Sequence, residues 1–343
     1  MKTSKRISNC AKAMALAWTL CGAVNGQESH EPEGRDLLRK EARALESFAT
    51  TRLSREFLAG VTGLPAVEPR TVYRDPVTRT YYSPTQVAAM DEESRAKLEK
   101  KELDETFYYY TKYGTPLAYV RALDVLGTAG FDNVSGKRIL DFGYGGVGQL
   151  RLLAMMGADA IGVEIDTLQP AFYREPSDQG VVKGRSSRDG RITLLHGRFP
   201  DDEAVTKSVG DGYDLFISKN TLKNGYLHPE RPVDKRMLVD LGVDDETFVQ
   251  KLFSILRPGG FVLIYNISPA PAPPDKPYIP WADGRCPFPK TMWESAGFQV
   301  IAFDQDDTTM ARAMGRALEW DKGEGAMDLE KDLFALYTLA RKP

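Results

Sequence analysis

The chain has 343 residues, of which 42% are hydrophobic and 27% are charged, a composition typical of a globular protein with one large domain or two smaller ones. The formal net charge of −3 argues against a nucleic-acid partner or an anionic membrane surface held by bulk charge. Of the three cysteines, Cys10 and Cys21 lie in an N-terminal leader and Cys286 stands alone in the remainder, so a disulfide-stapled scaffold is excluded.

Residues 1–26 are predicted to be a signal peptide. The segment MKTSKRISNCAK has four basic residues and no acidic one, and the mostly apolar run AMALAWTLCGAV follows it. Small residues come next, so that cleavage after Ala23 or after Gly26 fits the pattern of a secretory signal. The apolar run is too short to span a bilayer. We therefore expect an exported protein, periplasmic or secreted, with no stable membrane span after removal of the leader, and a cytoplasmic protein if the leader is not functional.

Residues 27–135 are predicted to form a helical cap. In GRDLLRKEARALESFATTRL, apolar side chains recur at helical spacing on one face, namely Leu37, Leu38, Ala42, Leu45 and Phe48. The segment RTVYRDPVTRTYYSP has two prolines and several residues that favour strands, which predicts a loop or a short hairpin. Residues 91–130 predict two helices that are broken near Gly114-Thr115-Pro116.

Residues 136–343 alternate between predicted strands and helices. The strands, in chain order, are KRILDFG, ADAIGVEID, RITLLHG, YDLFISKN, FVLIYNIS, QVIAFDQD and LFALYTLARK. Seven strands that alternate with helices predict an α/β fold with an open, doubly wound sheet. Ligands of such sheets bind beyond the carboxyl ends of the strands, next to the first strand. The stretch Arg138–Gly148, RILDFGYGGVG, lies there.

This stretch has the spacing of a nucleotide-binding turn. Gly143, Gly145 and Gly148 fit the pattern G-x-G-x-x-G, and Glu164 follows about twenty residues later, where a carboxylate can accept both hydroxyls of a ribose. These features suit NAD and S-adenosylmethionine equally. Asp141 separates the two, because its carboxylate would repel a pyrophosphate but favour a cofactor with a free amino group and a sulfonium. The turn therefore predicts S-adenosylmethionine.

Further segments carry a family resemblance. LRPGGFVLIY combines the end of a helix, a tight Pro-Gly-Gly turn and the fifth strand, and LFALYTLARKP places a last strand at the end of the chain. Together with ILDFGYGG, IGVEID and YDLFISKN, they make residues 136–343 resemble the class I S-adenosylmethionine-dependent methyltransferases. The resemblance implies a Rossmann-like, mostly parallel sheet of seven strands whose last strand is antiparallel.

The resemblance also implies a set of cofactor-binding residues at the ends of the first two strands: Asp141, Gly143, Tyr144, Gly145, Glu164 and Ile165. Asp141 would face the methionine amino group, the glycines would admit the cofactor against bare backbone, Glu164 would hold the ribose and Ile165 would lie beside the adenine.

After the third strand the sequence departs from the family. The family has Gly-Asp there, whereas this chain has HGRFPDD, with Arg198 in place of the aspartate. We expect Phe199 to stack on the adenine or to lie at its edge, and Asp201 or Asp202 to substitute for the missing carboxylate.

The loop after the fourth strand, SKNTLKNGYLHPERPVDKR, is predicted to hold the catalytic residues Lys219, Tyr226 and His228, with Asn220 beside Lys219. Histidine titrates near neutrality, so His228 is a candidate general base. The competing interpretation is a surface histidine that is hydrogen-bonded to the backbone. No metal is expected, because SKNTLKN lacks a carboxylate and histidines and cysteines are few.

The segment SPAPAPPDKPYIPWADGRCPFPK is stiffened by prolines and follows the fifth strand. It is a candidate wall of an acceptor pocket, with Arg285 as a contact for an anion, or else a long surface excursion. A long loop without regular structure is more often functional than idle.

The sequence thus predicts an S-adenosylmethionine-dependent methyltransferase that acts on an unidentified small-molecule or protein acceptor. One alternative is an exported, catalytically inactive binding module with the same fold, which the leader and Arg198 favour. A weaker alternative is an NAD-dependent oxidoreductase, which Asp141 and LRPGG disfavour. The pattern specifies no oligomeric state.

Overall fold

A computed structural model describes residues 34–185, 188–323 and 326–343. The predicted signal peptide, residues 1–26, lies outside these ranges and stays a prediction. In the described part of the chain, no helix combines the length and the apolar character that crossing a membrane requires.

The N-terminal unit, residues 34–128, begins with helices α1 (Gly34–Leu45) and α2 (Arg52–Gly60). Helix α1 buries Leu38, Ala42 and Leu45, three of its apolar positions at helical spacing. At the start of α2 the side chains and backbone amides of Thr51 and Ser54 are reciprocally hydrogen-bonded in a capping box. Four further helices of the unit are α3 (Pro84–Ala88), α4 (Glu92–Ala96), α5 (Glu105–Tyr110) and α6 (Tyr119–Thr128).

The N-terminal unit also contains a three-stranded antiparallel sheet, of which the sequence predicts only the hairpin. Strands β1 (Arg70–Arg74) and β2 (Tyr81–Tyr82) form the hairpin, and β3 (Glu99–Leu103) pairs with the other side of β1. The sequence predicts helix for residues 99–103, which is wrong. Glu, Lys and Leu favour helix by intrinsic propensity, and the pairing of EKKEL with all five residues of β1 overrides that preference.

The large sheet has eight strands in the order β10-β11-β9-β8-β4-β5-β7-β6. The strands are β4 (Arg138–Phe142), β5 (Asp159–Glu164), β6 (Gly180–Val182), β7 (Gly190–His196), β8 (Tyr213–Lys219), β9 (Leu256–Ser268), β10 (Gln299–Asp306) and β11 (Phe334–Arg341). Strands β4, β5, β7, β8 and β9 are mutually parallel, and β11 runs antiparallel between β9 and β10.

This topology confirms the predicted doubly wound, mostly parallel sheet with an antiparallel last strand. The chain order reverses at β4, whose neighbours are β5 and β8, and this is the switch point of the sheet. One strand of the large sheet was not predicted: β6 is a short edge strand within the polar loop that precedes β7. Its pairing with β7 is antiparallel and covers three residues, too few to leave a periodic signal in the sequence.

Helices connect the strands and cover both faces of the sheet. They are α7 (Gly148–Met155), α8 (Leu168–Phe172), α9 (Glu203–Val209), α10 (Asn224–Leu227), α11 (Asp245–Ile255), α12 (Lys290–Ser295), α13 (Thr308–Ala317) and α14 (Leu329–Asp332). Adjacent residues of β4 enter different cores, because successive side chains of a strand point to opposite faces. Ile139 packs in the cluster shared with the N-terminal unit and α7, and Leu140 packs in the cluster with α11 and α12.

Candidate functional site

The turn after β4 requires glycine at two positions. Gly143 has φ = 72° and Gly145 has φ = 60°, in the left-handed region that side chains disfavour. A Cβ atom at Gly143 would also clash with Oγ1 of Thr221, which follows β8. The turn therefore keeps bare backbone at the carboxyl end of the central strand, and α7 begins directly after it.

Glu164, the last residue of β5, contacts this turn. Its Oε2 accepts a hydrogen bond from the Gly145 amide at 3.3 Å, and its Oε1 accepts bonds from the amides of Ile165 at 2.8 Å and Asp166 at 3.2 Å. Parallel pairing of β4 with β5 brings the two strand ends together. Burial raises the pKa of the Glu164 carboxyl group, and its backbone donors oppose that shift. The structure thus joins the glycine-rich turn to the acid that the sequence pairs with it.

Ile165 and Phe199 differ sharply in accessibility. Ile165 is 52% exposed beside Glu164, so its side chain is free to border a planar ligand. Phe199 is 1% exposed and packs in the core with Phe248, at a centroid distance of 6.5 Å. The prediction that Phe199 stacks on an adenine is corrected on this point, because its ring fills the core and does not border open space.

The carboxylates after Phe199 are engaged elsewhere. Asp202 caps α9, where one oxygen accepts hydrogen bonds from the amides of Ala204 and Val205. Asp201 pairs with Arg198 at 3.2 Å. The expected replacement of the family's aspartate by Asp201 or Asp202 therefore has no support in the geometry.

Tyr144 is a core residue. Its ring lies against β5, and a Cβ atom at Gly162 would come within 2.6 Å of its Cδ1. The Tyr144 carbonyl accepts a hydrogen bond of 2.6 Å from Nε2 of Gln149. The predicted cofactor contact at this position is thus limited to backbone, since the side chain packs on the sheet.

Asp141 is closed off by neighbours that the sequence does not reveal. The Tyr119 hydroxyl donates to both of its oxygens at 3.1 Å, and Gln149 Nε2 donates to Oδ2 at 3.1 Å. Burial raises the pKa of Asp141 to about 7, and these donors and Lys219 oppose the shift. Asp141 has no exposed surface, so the predicted direct contact with an amino group requires Tyr119 to move. Gln149 follows eight residues after Asp141 in the first turn of α7, which is a local signal; Tyr119 gives none.

Lys219 completes this group, which we call the Asp141 cluster: Tyr119, Asp141, Gln149 and Lys219. The Lys219 ammonium lies 5.6 Å from the centroid of the Tyr119 ring. Burial lowers the pKa of Lys219 to about 8, and the charge of Asp141 opposes that shift. Lys219 therefore lies at the end of β8 as predicted, and the charge of Asp141 favours its protonated form.

The loop after β8 is tied to β9. Asn220 has φ = 65°, and its Oδ1 accepts a hydrogen bond of 2.7 Å from the Ile267 amide. Lys223 was not predicted as a site residue. It is buried and donates to the carbonyls of Ile267 at 2.5 Å and Trp281 at 3.1 Å. Burial lowers the pKa of Lys223 to about 7. Tyr226 is half-buried, with its ring 5.9 Å from the Lys223 ammonium.

His228 pairs with a carboxylate. Its Nε2 lies 2.9 Å from Oδ2 of Asp245, the first residue of α11, and its side chain is 44% exposed. Neither sequence interpretation included this partner, because Asp245 is separated from His228 by the long loop. The pair is able to hold an imidazole in one orientation and to accept a proton from a bound group.

A cavity of about 730 Å³ opens between the carboxyl end of β9 and the proline-rich segment. Its walls include Pro271, Pro274 and Ser268. The buried hydroxyl of Ser268 has no hydrogen-bond partner among the described residues. Arg285, the predicted anion contact, is neutralised by Asp283 at 2.6 Å and Glu230 at 2.9 Å. The segment thus walls a pocket, while its arginine is already paired.

The strand order and the antiparallel β11 define a Rossmann-like fold of the class I methyltransferase type. No protein-family model matches the chain, and a comparison with curated proteins found no significant match. Among solved structures, phosphoethanolamine N-methyltransferase 2 of Haemonchus contortus is 15% identical, with 89% of this chain and 74% of that chain covered and a TM-score of 0.38.

Two other solved structures are similar. The [4+2]-cyclase SpnF is 16% identical over 65% of this chain and 82% of that chain, with a TM-score of 0.37. A putative sarcosine dimethylglycine methyltransferase of Galdieria sulphuraria is 14% identical over 65% and 88%, with a TM-score of 0.35. Similarity at this level identifies neither a reaction nor a substrate for this chain.

Proposed function

We propose that this protein transfers a methyl group from S-adenosylmethionine to a small-molecule acceptor. The observation that carries the proposal is the contact between Glu164 Oε2 and the Gly145 amide at the switch point of the sheet. It places a carboxylate beside a turn that is kept free of side chains, where the ribose of a nucleoside cofactor is bound in folds of this kind.

The residues at the turn after β4 and at the end of β5 suit the ribose, the adenine and the amino-acid chain of S-adenosylmethionine. Glu164 would hold the ribose, with hydroxyl groups replacing backbone amides as its donors, and the exposed Ile165 would border the adenine. The backbone of Gly143 and Gly145 would face the chain of the cofactor. The Asp141 cluster lies deeper. The carboxylate of Asp141 would neutralise the amino group of the cofactor only after Tyr119 has moved. When bound, S-adenosylmethionine supplies an electrophilic methyl group on a sulfonium.

The chain itself would supply alignment and proton removal. In-line displacement needs the acceptor atom held in line with the methyl group, and an acceptor that carries a proton needs a base. The cavity at the end of β9 opens on the same edge of the sheet as the turn, because β9, β8 and β4 are parallel. Strand β9 is two strands from β4, roughly 10 Å across the sheet. We assign this cavity to the acceptor, and we propose His228, paired with Asp245, as its base because the loop that carries His228 also contributes Glu230 and Arg231 to the cavity wall.

The size and chemistry of the cavity favour a small acceptor over a protein side chain. A volume of about 730 Å³ is within the usual range for small-molecule sites. Its proline walls suit an apolar body, and the unpartnered Ser268 hydroxyl suits one polar group.

Calorimetry with S-adenosylhomocysteine, S-adenosylmethionine and NAD tests the cofactor assignment. We expect S-adenosylhomocysteine to bind and NAD not to bind. Glu164→Gln should weaken the binding of S-adenosylhomocysteine at least about tenfold, because it removes charge-assisted hydrogen bonds of about 1.5–3 kcal/mol each. The control Glu203→Gln, an exposed residue of α9, should change nothing. Equal affinity in both variants would contradict the assignment, and binding of NAD alone would favour an oxidoreductase.

Turnover is tested separately. Release of S-adenosylhomocysteine is followed with a panel of small phenols, carboxylates and amines as acceptors. A protein that binds the cofactor and methylates none of these classes would support the inactive binding module in place of the enzyme.

A further inference from the structure

A second cavity, of about 850 Å³, lies between the N-terminal unit and the β6 edge of the large sheet. It is lined by residues of β1, α7 and β6 and by the connection that precedes β6. None of the residues predicted for the cofactor or the acceptor lines it. Arginine is prominent in its wall, with Arg70, Arg151 and Arg174.

Arg70 is fully paired. It donates two hydrogen bonds to Asp178, at 2.7 and 2.9 Å, and a third to the Phe172 carbonyl. Asp178 has no exposed surface, and its oxygens also accept bonds from the Tyr108 hydroxyl and the Glu175 amide. Four donors occupy the acceptor sites of this carboxylate, so it has no further capacity for a second guanidinium.

Arg151 is the second guanidinium of this network, and it has no carboxylate. It is 7% exposed and donates from Nη2 to the Tyr108 hydroxyl at 3.2 Å and to the Ser177 carbonyl at 2.6 Å. Its buried Nε has no acceptor among the described residues, and no ion pair involving Arg151 is found in that part of the chain. The buried Arg151 and the largely buried Arg70 therefore share one buried anion, Asp178. A buried charge without a counter-ion is costly, and a bound anion removes that cost.

The rest of the wall separates into a rim and an apolar surface. Glu68 and Glu175 lie at the exposed rim, where water screens their charge, and Glu175 is 3.5 Å from Arg174. Apolar side chains of the wall include Val67, Met155, Val181 and Val182. Val181 is 64% exposed although it is a large hydrophobic residue. Such a wall suits a ligand that has an apolar part along these side chains and a charged group directed toward Arg151.

We propose that this cavity binds an organic anion, with a carboxylate or phosphate group at Arg151 and an apolar body along Val181 and Val182. The site is separate from the proposed cofactor and acceptor sites, and the proposal does not rest on methyl transfer. Because Arg151 lies on α7, which begins at the end of the glycine-rich turn, an anion bound there contacts the helix that follows the turn.

Calorimetry on the full chain with octanoate, octyl phosphate and octanol tests this site. We expect at least one of the two anions to bind with one-to-one stoichiometry, and octanol to bind at least about tenfold more weakly, since it lacks the charge. The comparison of octanoate with octyl phosphate identifies the preferred head group. Arg151→Met should weaken the binding of the anion at least about tenfold, because it removes a charge-assisted contact. The control Arg55→Met, at an exposed position of α2, should leave the affinity unchanged.

The proposal is overturned if neither anion saturates the wild-type chain, if octanol binds as tightly as the anions, or if Arg151→Met retains full affinity. Should Arg151→Met fail to fold, Val181→Trp decides the question, because it fills the cavity from an exposed position and leaves the arginine network intact. That variant should weaken the anion at least about fivefold, and undiminished affinity would equally reject the site.

Discussion

The hydroxyl group of Tyr119 lies 3.1 Å from each carboxylate oxygen of Asp141, so that helix α6 of the N-terminal unit is hydrogen-bonded to the central strand β4. The contact joins the two parts of the molecule at the switch point of the sheet. It also keeps a carboxyl group away from water, which raises the pKa of Asp141 to about 7.

The raised pKa of Asp141 predicts a specific dependence of stability on pH. Between its ordinary pKa near 3.8 and its folded pKa near 7, the folded chain retains a proton that the unfolded chain has released. The stability contributed by this group is therefore present below about pH 4 and is lost as the pH rises to about 7. Asp141→Asn should remove that loss, which is about 1–3 kcal/mol between pH 5 and pH 7.5.

Urea unfolding at these two pH values checks the prediction. The free energy of unfolding should fall less with pH in Asp141→Asn than in the wild type, whereas Asp211→Asn, at an exposed position, should behave as the wild type does. A fall of the same size in all three proteins would mean that Asp141 titrates normally.

Phe199 and Ile165 should show opposite effects on stability and binding. Phe199→Leu leaves a gap in the core and should cost about 1–2 kcal/mol of unfolding free energy, with S-adenosylhomocysteine affinity within about twofold of wild type. Ile165→Ser changes an exposed side chain and should alter stability by less than about 0.5 kcal/mol, while weakening the ligand about threefold or more. Denaturation and calorimetry on both variants measure this. A loss of affinity without a loss of stability in Phe199→Leu would indicate that Phe199 contacts the adenine.

The His228–Asp245 pair should matter for turnover and not for cofactor binding. His228→Ala should leave S-adenosylhomocysteine affinity within about threefold and lower turnover by about 10²–10⁴, the usual share of a general base. Asp245→Asn should lower turnover by a smaller factor, because the imidazole remains but loses its carboxylate partner.

The neighbouring Asp244 provides the control for this pair. It caps α11 by accepting a hydrogen bond from the Thr247 amide, and asparagine caps helices about as well as aspartate. Asp244→Asn should therefore retain full turnover on the best acceptor of the panel. If His228→Ala also retains full turnover, this loop is scaffold.

We propose that the leader is removed on export and that the mature chain begins near Val24 or Gln27. The basic start, the apolar run and the small residues that follow support this. Mass spectrometry of protein from the native cell measures the mature terminus. An intact chain beginning at Met1 in the cytosolic fraction would contradict it.

Local patterns of the sequence determined the larger part of the fold. Alternating strands and helices predicted the doubly wound sheet, and the spacing of Gly143, Gly145 and Glu164 indicated a nucleotide-binding turn followed by an acid at the end of the second strand. These predictions hold because the information is local: left-handed backbone requires glycine within one turn, and parallel pairing of consecutive strands brings their ends together. The strand β3 could not be predicted, since EKKEL takes its conformation from its partner β1.

Only the tertiary structure decided which side chains of the site are accessible and which are closed. The direction of Phe199 at an irregular turn, the closure of Asp141 by Tyr119 and the pairing of His228 with Asp245 all depend on packing between separate elements. The ion pair of Asp178 joins it to Arg70, which lies 108 positions away in the chain. Contacts of this kind leave no periodic signal in the sequence, because the partners come from elements that are far apart in the chain.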